Sequence, residues 1–331
     1  MNALEGSYEP VRWGILSTAH INRLVIPPAR ESPKVDLVDV ASRNQATADE
    51  YARTWQIPRA HGSYEALLAA PDVEAIYISL PNSLHVEWTI NALEAGKHVL
   101  CEKPFDSRPE RVEEAFDVAE REGLHLMEAF MYRHHPQTAK LVELVEWGAI
   151  GTLQAIRAAF SYSLYDADNV RLRADVDGGA LMDVRCYCVH SSRLLGGEPE
   201  RVYGEQVVGP TGVDVRFHGT MRFPSGVVGQ WDCGMVMPER DELEAIGDTG
   251  SLFLDDPFHC DVPGIELRRD GEKTERIDVE PADPYGLELE NLSEAIRGEG
   301  RPLLDREDAV AQARTIAALR RSAESGAPVE V

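Results

Sequence analysis

The first 130 residues alternate short runs that are apolar throughout with stretches of helical periodicity, and this rhythm limits the fold more than any other feature. Runs at 11–16, 35–41, 75–80, 98–101 and 124–128 are too short for helices and lack the in–out alternation of a half-exposed strand. They read as strands buried on both faces, the mark of a parallel sheet. Helices are predicted between them: from about His20, at 47–55, at 85–95 with Gly96 as the stop signal, and at 109–122. Pro27 and Pro28 are expected to break or kink the first of these. The order implies an α/β, doubly wound Rossmann domain over residues 9–129.

After about Phe130 the rhythm changes. A strand is predicted at 148–163 and an apolar helix at 179–195, stopped by Gly196-Gly197. Strands follow at 201–208, 214–223, 227–233, 242–246 and 251–254, with Pro224-Ser225-Gly226 as one of the turns. Helices at 285–297 and 306–324 close the chain. Residues 130–331 therefore read as an α+β domain with a large, mostly antiparallel sheet covered by helices on one side. Its open face is expected to bury itself in a homodimer or homotetramer.

The formal charge of −24 opposes nucleic-acid binding, which needs a basic surface. Of 33 basic residues only Lys34, Lys97, Lys103, Lys140 and Lys273 are lysine. That bias fits a GC-rich genome and a soluble acidic enzyme, or a salt-adapted host. No apolar run reaches membrane-spanning length and residues 1–10 have no apolar leader, so a cytoplasmic protein is expected. The five cysteines are odd in number and irregularly spaced, which suits buried thiols in a reducing compartment. Cys186 and Cys188 have no second pair to complete a zinc site, and no metal is expected.

The turn after the first strand reads Ser17-Thr18-Ala19-His20-Ile21, small enough at its start for backbone amides to approach a pyrophosphate at a helix N-terminus. The second strand ends Val40-Ala41-Ser42-Arg43, about twenty-five residues on, where an NAD enzyme would carry an acid for the ribose hydroxyl. A hydroxyl with a guanidinium suits a 2′-phosphate instead. NADP(H) is favoured over NAD(H).

Residues 98–101 lead directly into Glu102-Lys103-Pro104, placing a lysine at the ligand-facing edge of a parallel sheet. Together with Pro81-Asn82-Ser83-Leu84-His85, Glu128-Ala129-Phe130-Met131-Tyr132-Arg133 and Gly178-Gly179-Ala180-Leu181-Met182-Asp183-Val184-Arg185-Cys186-Tyr187, this turn resembles one family. It is the glucose–fructose oxidoreductase / inositol dehydrogenase family, Gfo/Idh/MocA, and the resemblance runs from Val11 to the last helix. It implies NAD(P)-linked redox at a sugar carbon, with Lys103 in the catalytic centre and Asp183 and Tyr187 facing it. Tyrosine at 187 is similar to the branch of D-xylose 1-dehydrogenase, dihydrodiol dehydrogenase and ketosugar reductases, which often use NADP. Leu80, Pro81, Asn82, His85, Glu102 and Lys103 are implied on the cofactor side. Tyr132, Arg133, Tyr162 and Arg171 are candidates for the substrate side, and His135 for the crevice wall.

The residue chemistry supports the same centre. Asp183 and Tyr187, four apart on a helix, share a face. Moving a hydride at a carbinol carbon requires a proton to move on its oxygen, and a nearby ammonium helps a phenol do this. Tyr187 is assigned as proton donor or acceptor with Lys103 as electrostatic partner, or the reverse. Three positions depart from the family pattern: Ser17 and Ala19 replace glycines, Asp177 replaces a third glycine before Gly178-Gly179, and Arg185 stands where a small residue is usual. Arg185 could meet solvent, contact an acidic substrate group or disturb the helix. The expected activity is hydride transfer on a sugar or sugar derivative, an aldose at C1 first. The competing readings are a catalytically silent NADP-binding sensor and a glucose–fructose-oxidoreductase-like enzyme that holds its cofactor tightly.

Overall fold

The computed structural model describes residues 9–166 and 169–331. The apolar runs of the first third pair as a six-stranded parallel sheet. Its elements are β1 (Val11–Leu16), α1 (Asn22–Glu31), β2 (Val35–Ala41), α2 (Gln45–Thr54), β3 (Arg59–His61), α3 (Tyr64–Leu68), β4 (Ala75–Ile78), α4 (His85–Glu94), β5 (His98–Glu102), α5 (Pro109–Glu122) and β6 (Leu126–Ala129). Strand order is β3-β2-β1-β4-β5-β6, so the chain reverses direction across the sheet between β1 and β4. Every residue of β4 and of β6 is buried, which is why these strands carry no polar alternation. Local signals set the helix ends: the Asn44 and Ser63 side chains accept from Thr47 N and Ala66 N, and Gly123 ends α5 in the left-handed region at φ +69°.

Three details correct the sequence expectations. Helix α1 runs on through Pro27 and Pro28 instead of breaking there. The prolines forfeit two backbone bonds, but Val25, Ile26, Pro28 and Ala29 are buried, and this packing outweighs the loss. The short β3 and α3 were not expected, because three and five residues carry too little periodicity to stand out.

The second sheet begins after α6 (Pro136–Glu146), which Pro136 starts and which sequence periodicity missed. The chain continues with β7 (Leu153–Ser163), a π-helical turn at Leu181–Arg185, α7 (Cys186–Gly196), β8 (Arg201–Val208), β9 (Asp214–Arg222), β10 (Val228–Gly234), β11 (Val236–Gly247), β12 (Ser251–Leu254), β13 (Ile265–Arg268), β14 (Glu275–Ile277), α8 (Pro284–Ile296), α9 (Arg306–Ser325) and β15 (Val329–Glu330). Strand order is β14-β13-β12-β11-β7-β10-β9-β8-β15, and among the described residues only β7 and β10 run parallel. The expected helix over 179–195 is thus a π turn followed by an α-helix.

The last two helices reach back to the parallel sheet. Ala309, Val310 and Ala313 of α9 join the core formed by β4, β5, α4 and α5. Arg306 pairs with Asp117 at 2.6 Å, and Arg314 with Glu113 at 2.7 Å. On the other face, Trp13 Nε1 donates to Ser293 Oγ of α8 at 3.1 Å. A parallel sheet needs cover on both faces, and part of that cover comes from the far end of the chain. Among the described residues no helix is long and apolar enough to cross a membrane.

Candidate active site

A cavity of about 690 Å³ opens where the C-terminal ends of β1, β4 and β5 meet the second sheet. Ala19, His20, Ile21, Leu80, Pro81, Asn82, His85, Glu102 and Lys103 form one wall; Tyr162, Arg171, Asp183 and Tyr187 stand on the other. The position is the switch point of a doubly wound sheet, where strand ends fan apart and leave a crevice.

Lys103, just past β5, donates from Nζ to the Asp183 carbonyl at 2.8 Å and lies 3.6 Å from Asp183 Oδ1. Arg171 Nε reaches the same Oδ1 at 2.8 Å, and the Tyr162 hydroxyl donates to Oδ2 at 2.5 Å. Both carboxylate oxygens are therefore held. Burial works against the Asp183 charge, but Arg171, Lys103 and the Tyr162 hydrogen bond overcome it and hold the carboxyl at about 2. The charge is fixed throughout the neutral range.

The Lys103 ammonium sits 4.7 Å from the centroid of the Tyr187 ring, over its face rather than beside its oxygen. The Tyr187 hydroxyl donates to Met131 Sδ at 3.5 Å, a weak acceptor. Burial pushes the phenol well above its usual range, and neighbouring Tyr285 and Glu102 add to this. The nearby ammonium expected from the sequence is thus Lys103, which meets the Tyr187 ring while the hydroxyl bonds Met131.

The glycine pair explains how Arg171 arrives. A Cβ on Gly178 would lie 2.5 Å from the Arg171 carbonyl oxygen and 2.7 Å from that of Arg173, and Gly179 takes φ +119°. Gly179 N in turn donates to the Arg171 carbonyl at 2.8 Å. Two of the departures from the family pattern keep a glycine-like backbone. Asp177 adopts φ +55°, and its carbonyl accepts from Asn82 Nδ2 at 2.9 Å. Ser17 adopts φ +141°, anchored by its hydroxyl to the Ser79 carbonyl at 2.9 Å.

Beneath the lysine turn lies a bracing layer. His85 is buried between two carbonyls, Nδ1 at 2.9 Å from Pro104 O and Nε2 at 2.8 Å from Leu80 O, while also touching the cavity. Burial lowers its pKa, so the ring is neutral and donates to one carbonyl at a time. Glu102 accepts from the Tyr77 hydroxyl at 2.5 Å rather than pairing with a cation. Glu128 Oε1 accepts from Phe105 N at 2.8 Å, and Oε2 is buried without a partner.

Burial pushes the Glu128 carboxyl up to about 8, against the Phe105 hydrogen bond. In an unfolded chain it titrates near 4.3. Stability from this group is therefore full below about pH 4.3 and is lost progressively as pH rises to about 8. Glu128→Gln keeps the acceptor for Phe105 and removes the titration. Thermal melts of both proteins from pH 5 to 8.5 should show the variant gaining on the parent as pH rises. A constant difference would mean the carboxyl ionises normally.

Several expected site residues lie elsewhere. Ser42 is buried with its amide on the His61 carbonyl, and Arg43 is exposed at the end of β2; neither lines the cavity. Ser17 and Thr18 support the first turn without reaching the cavity wall. Tyr132 is buried and donates to His190 Nδ1 at 2.7 Å, and His190 Nε2 meets Asp308 at 2.9 Å. Arg133 lies 3.5 Å from the same imidazole, and His135 caps α6. Tyr132 and Arg133 thus meet His190 of α7, which is tied to Asp308 of α9, and His135 serves the start of α6. Arg185 is fully buried, its guanidinium 3.2 Å from the Phe217 ring centroid, so it meets neither solvent nor substrate.

Glu239, His259 and Tyr285 also line the cavity and were missed. They come from β11, a loop and α8, and no sequence spacing links them. Asp241, Asp256 and His259 bring potential ligand atoms within 4.8 Å of one another. Their carboxylates accept from backbone amides of 258–262 and from His259 Nδ1, as in a loop-closing turn.

Comparison with known proteins agrees with this geometry. Residues 11–130 match the model of an oxidoreductase family with an NAD-binding Rossmann fold, GFO/IDH/MocA, and residues 138–253 match the GFO/IDH/MocA C-terminal domain. A D-xylose 1-dehydrogenase (NADP(+)) of Haloferax volcanii is 38% identical over 325 residues, covering 96% of this chain and 99% of the relative. A dTDP-3,4-didehydro-2,6-dideoxy-α-D-glucose 3-reductase of Streptomyces violaceoruber is 35% identical, covering 88% and 86%. The crystal structure of a 3-ketoreductase from Actinomadura kijaniata in complex with NADP and TDP-benzene superposes with a TM-score of 0.90 at 30% identity, covering 95% and 98%. Two sheets, the crevice between them and near full-length similarity agree: this chain belongs to the GFO/IDH/MocA oxidoreductase family.

Proposed function

We propose that the protein is an NADP(H)-dependent oxidoreductase acting on a carbinol or carbonyl carbon of a sugar or sugar derivative, an aldose at C1 first. The observation that carries this is the convergence of Lys103, Asp183 and Tyr187 on one cavity, opposite the Ala19–Ile21 turn at the start of α1. The nucleotide, when bound, supplies or accepts the hydride. The residues present fit it: the Ala19–Ile21 turn that leads into α1 lines the open cavity wall, so a helix N-terminus faces the crevice. Arg43 is free of carboxylate partners among the described residues and suits a 2′-phosphate. Asp39, the buried acid of β2, is held by Arg59 and His61 and unable to serve a ribose hydroxyl.

Lys103 and Tyr187 both act at the substrate oxygen. The buried phenol gives up its proton reluctantly, which leaves the Lys103 ammonium as the proton-carrying group and Tyr187 as a hydrogen-bond donor. This reverses the first assignment made from the sequence. Asp183, tied by Arg171 and Tyr162, positions Lys103. In reduction the carbonyl oxygen takes its proton from Lys103 Nζ, and oxidation runs the same path backwards.

Purified protein should turn over at least one member of a sugar, ketosugar and diol panel, with kcat/KM at least about tenfold higher for NADP(H) than for NAD(H). Silence across the panel would remove the reading. The outer face of the second sheet, with Arg157, His218, Gln230, Glu242 and Glu244, is assigned to a homodimer or homotetramer. Light scattering should then give two or four times the chain mass of 36.7 kDa; a monomer at micromolar concentration would refute it.

A further inference from the structure

We infer that the substrate is an uncharged sugar, bearing no phosphate, carboxylate or nucleotide; this rests on the oxidoreductase reading above. A protein recognises an anionic substrate with unpaired arginine or lysine or with the open N-terminus of a helix. The substrate half of the cavity has each of these devices, and each is already occupied by a carboxylate of the protein itself.

Two cations stand there, Arg171 and Lys103. Both face Asp183, at 2.8 Å and 3.6 Å from Oδ1, while Tyr162 donates to its other oxygen; with the exposed Glu239 on the same wall, two carboxylates stand against the two cations. Two helix starts also reach this wall. At the first, beside Gly179, Leu181 N donates to Asp214 Oδ2 at 2.7 Å. At the second, beside Tyr285, the amides of Tyr285 and Gly286 donate to Asp283 Oδ1 at 2.9 Å and 3.0 Å. His259 is matched by Asp241 at 2.7 Å, and Glu239 adds an exposed acid to the same wall. Among the described residues the one remaining cation on the cavity is Arg23, in the first turn of α1 beside Ala19–Ile21, on the cofactor side.

A phosphate or carboxylate placed on the substrate side would lose its hydration and gain no uncompensated partner. A neutral polyol loses little, because hydroxyls bond to carboxylates, guanidinium edges and phenols without needing net charge. On this reading the substrate is of the kind that the name of the D-xylose 1-dehydrogenase relative specifies, a free sugar, rather than a nucleotide-linked one.

The test has two arms. In the first, kcat/KM with NADP⁺ is measured for D-xylose, D-glucose, glucose 6-phosphate and glucuronate. The neutral sugars should exceed the charged ones by at least about tenfold, and a smaller ratio or a reversed one overturns the inference. In the second, thymidine diphosphate is titrated calorimetrically into the NADP⁺-saturated protein. Absence of binding at about 1 mM supports the inference, and binding with Kd below about 1 mM overturns it. If no sugar of either kind turns over, the oxidoreductase reading falls, and the titration still decides the question of charge.

Discussion

Lys103→Met should lower kcat by about 10³-fold or more while leaving the Kd for NADP⁺ within about threefold. Methionine nearly matches the lysine stem, so the packing against the Tyr187 ring face survives and only the ammonium is lost. That ammonium has three tasks in the arrangement described above. It bonds the Asp183 carbonyl, it helps hold the Asp183 charge, and it carries the proton for the substrate oxygen. Tyr187→Phe removes one hydrogen bond and should cost about ten- to a hundredfold. The ratio of the two losses decides the roles. If Tyr187→Phe proved the more damaging, the phenol would be the proton carrier. If Lys103→Met left turnover intact, the catalytic centre would lie elsewhere.

Why Lys103 was legible in the sequence and its supports were not is a matter of distance along the chain. β5 is apolar, short and followed directly by Glu102-Lys103-Pro104, so topology alone puts the lysine at the crevice. Asp183 and Tyr187 share a recognisable local motif. Tyr162 and Arg171, in contrast, reach Asp183 from β7 and from a separate loop, and nothing in their spacing encodes that meeting. Tyr132 misled for a related reason. It belongs to a motif that reaches the site, yet its hydroxyl is aimed at His190, which lies 58 residues further on. The strands β13, β14 and β15 were invisible because strands of two to four residues, at or next to the sheet edges, depend on neighbours more than on their own pattern. Ser17 and Asp177 show the converse: backbone shape survives the loss of glycine when side-chain anchors or tolerance of the left-handed region replace its freedom.

Arg185→Met should raise thermal stability, and more so at low pH. Arg185 is fully buried, and none of its three guanidinium nitrogens has a hydrogen-bond partner. Its compensation is stacking on Phe217 at 3.2 Å, a more distant contact with Trp231 at 5.3 Å, and the field of Asp214. Burial pulls its pKa down to about 9, so it is still charged at neutral pH. Stacking of this kind is worth about 2 kcal/mol, whereas a buried, unbonded ion costs several kcal/mol. Methionine fills similar volume without either term, for a net gain of about 1–3 kcal/mol or roughly 2–10 °C in Tm. Asp214 sets the pH dependence. Burial already raises its pKa, and Arg185 partly offsets that; without the guanidinium the pKa rises further. A raised carboxyl loses its contribution as pH increases, so the gain should be largest near pH 5 and shrink towards pH 8. Adding Asp214→Asn keeps an acceptor for Leu181 N and should restore the gain at the higher pH. A lower Tm for Arg185→Met at pH 5 would show that the guanidinium stabilises the turn carrying Asp183, making it part of the support of the site rather than a tolerated burden.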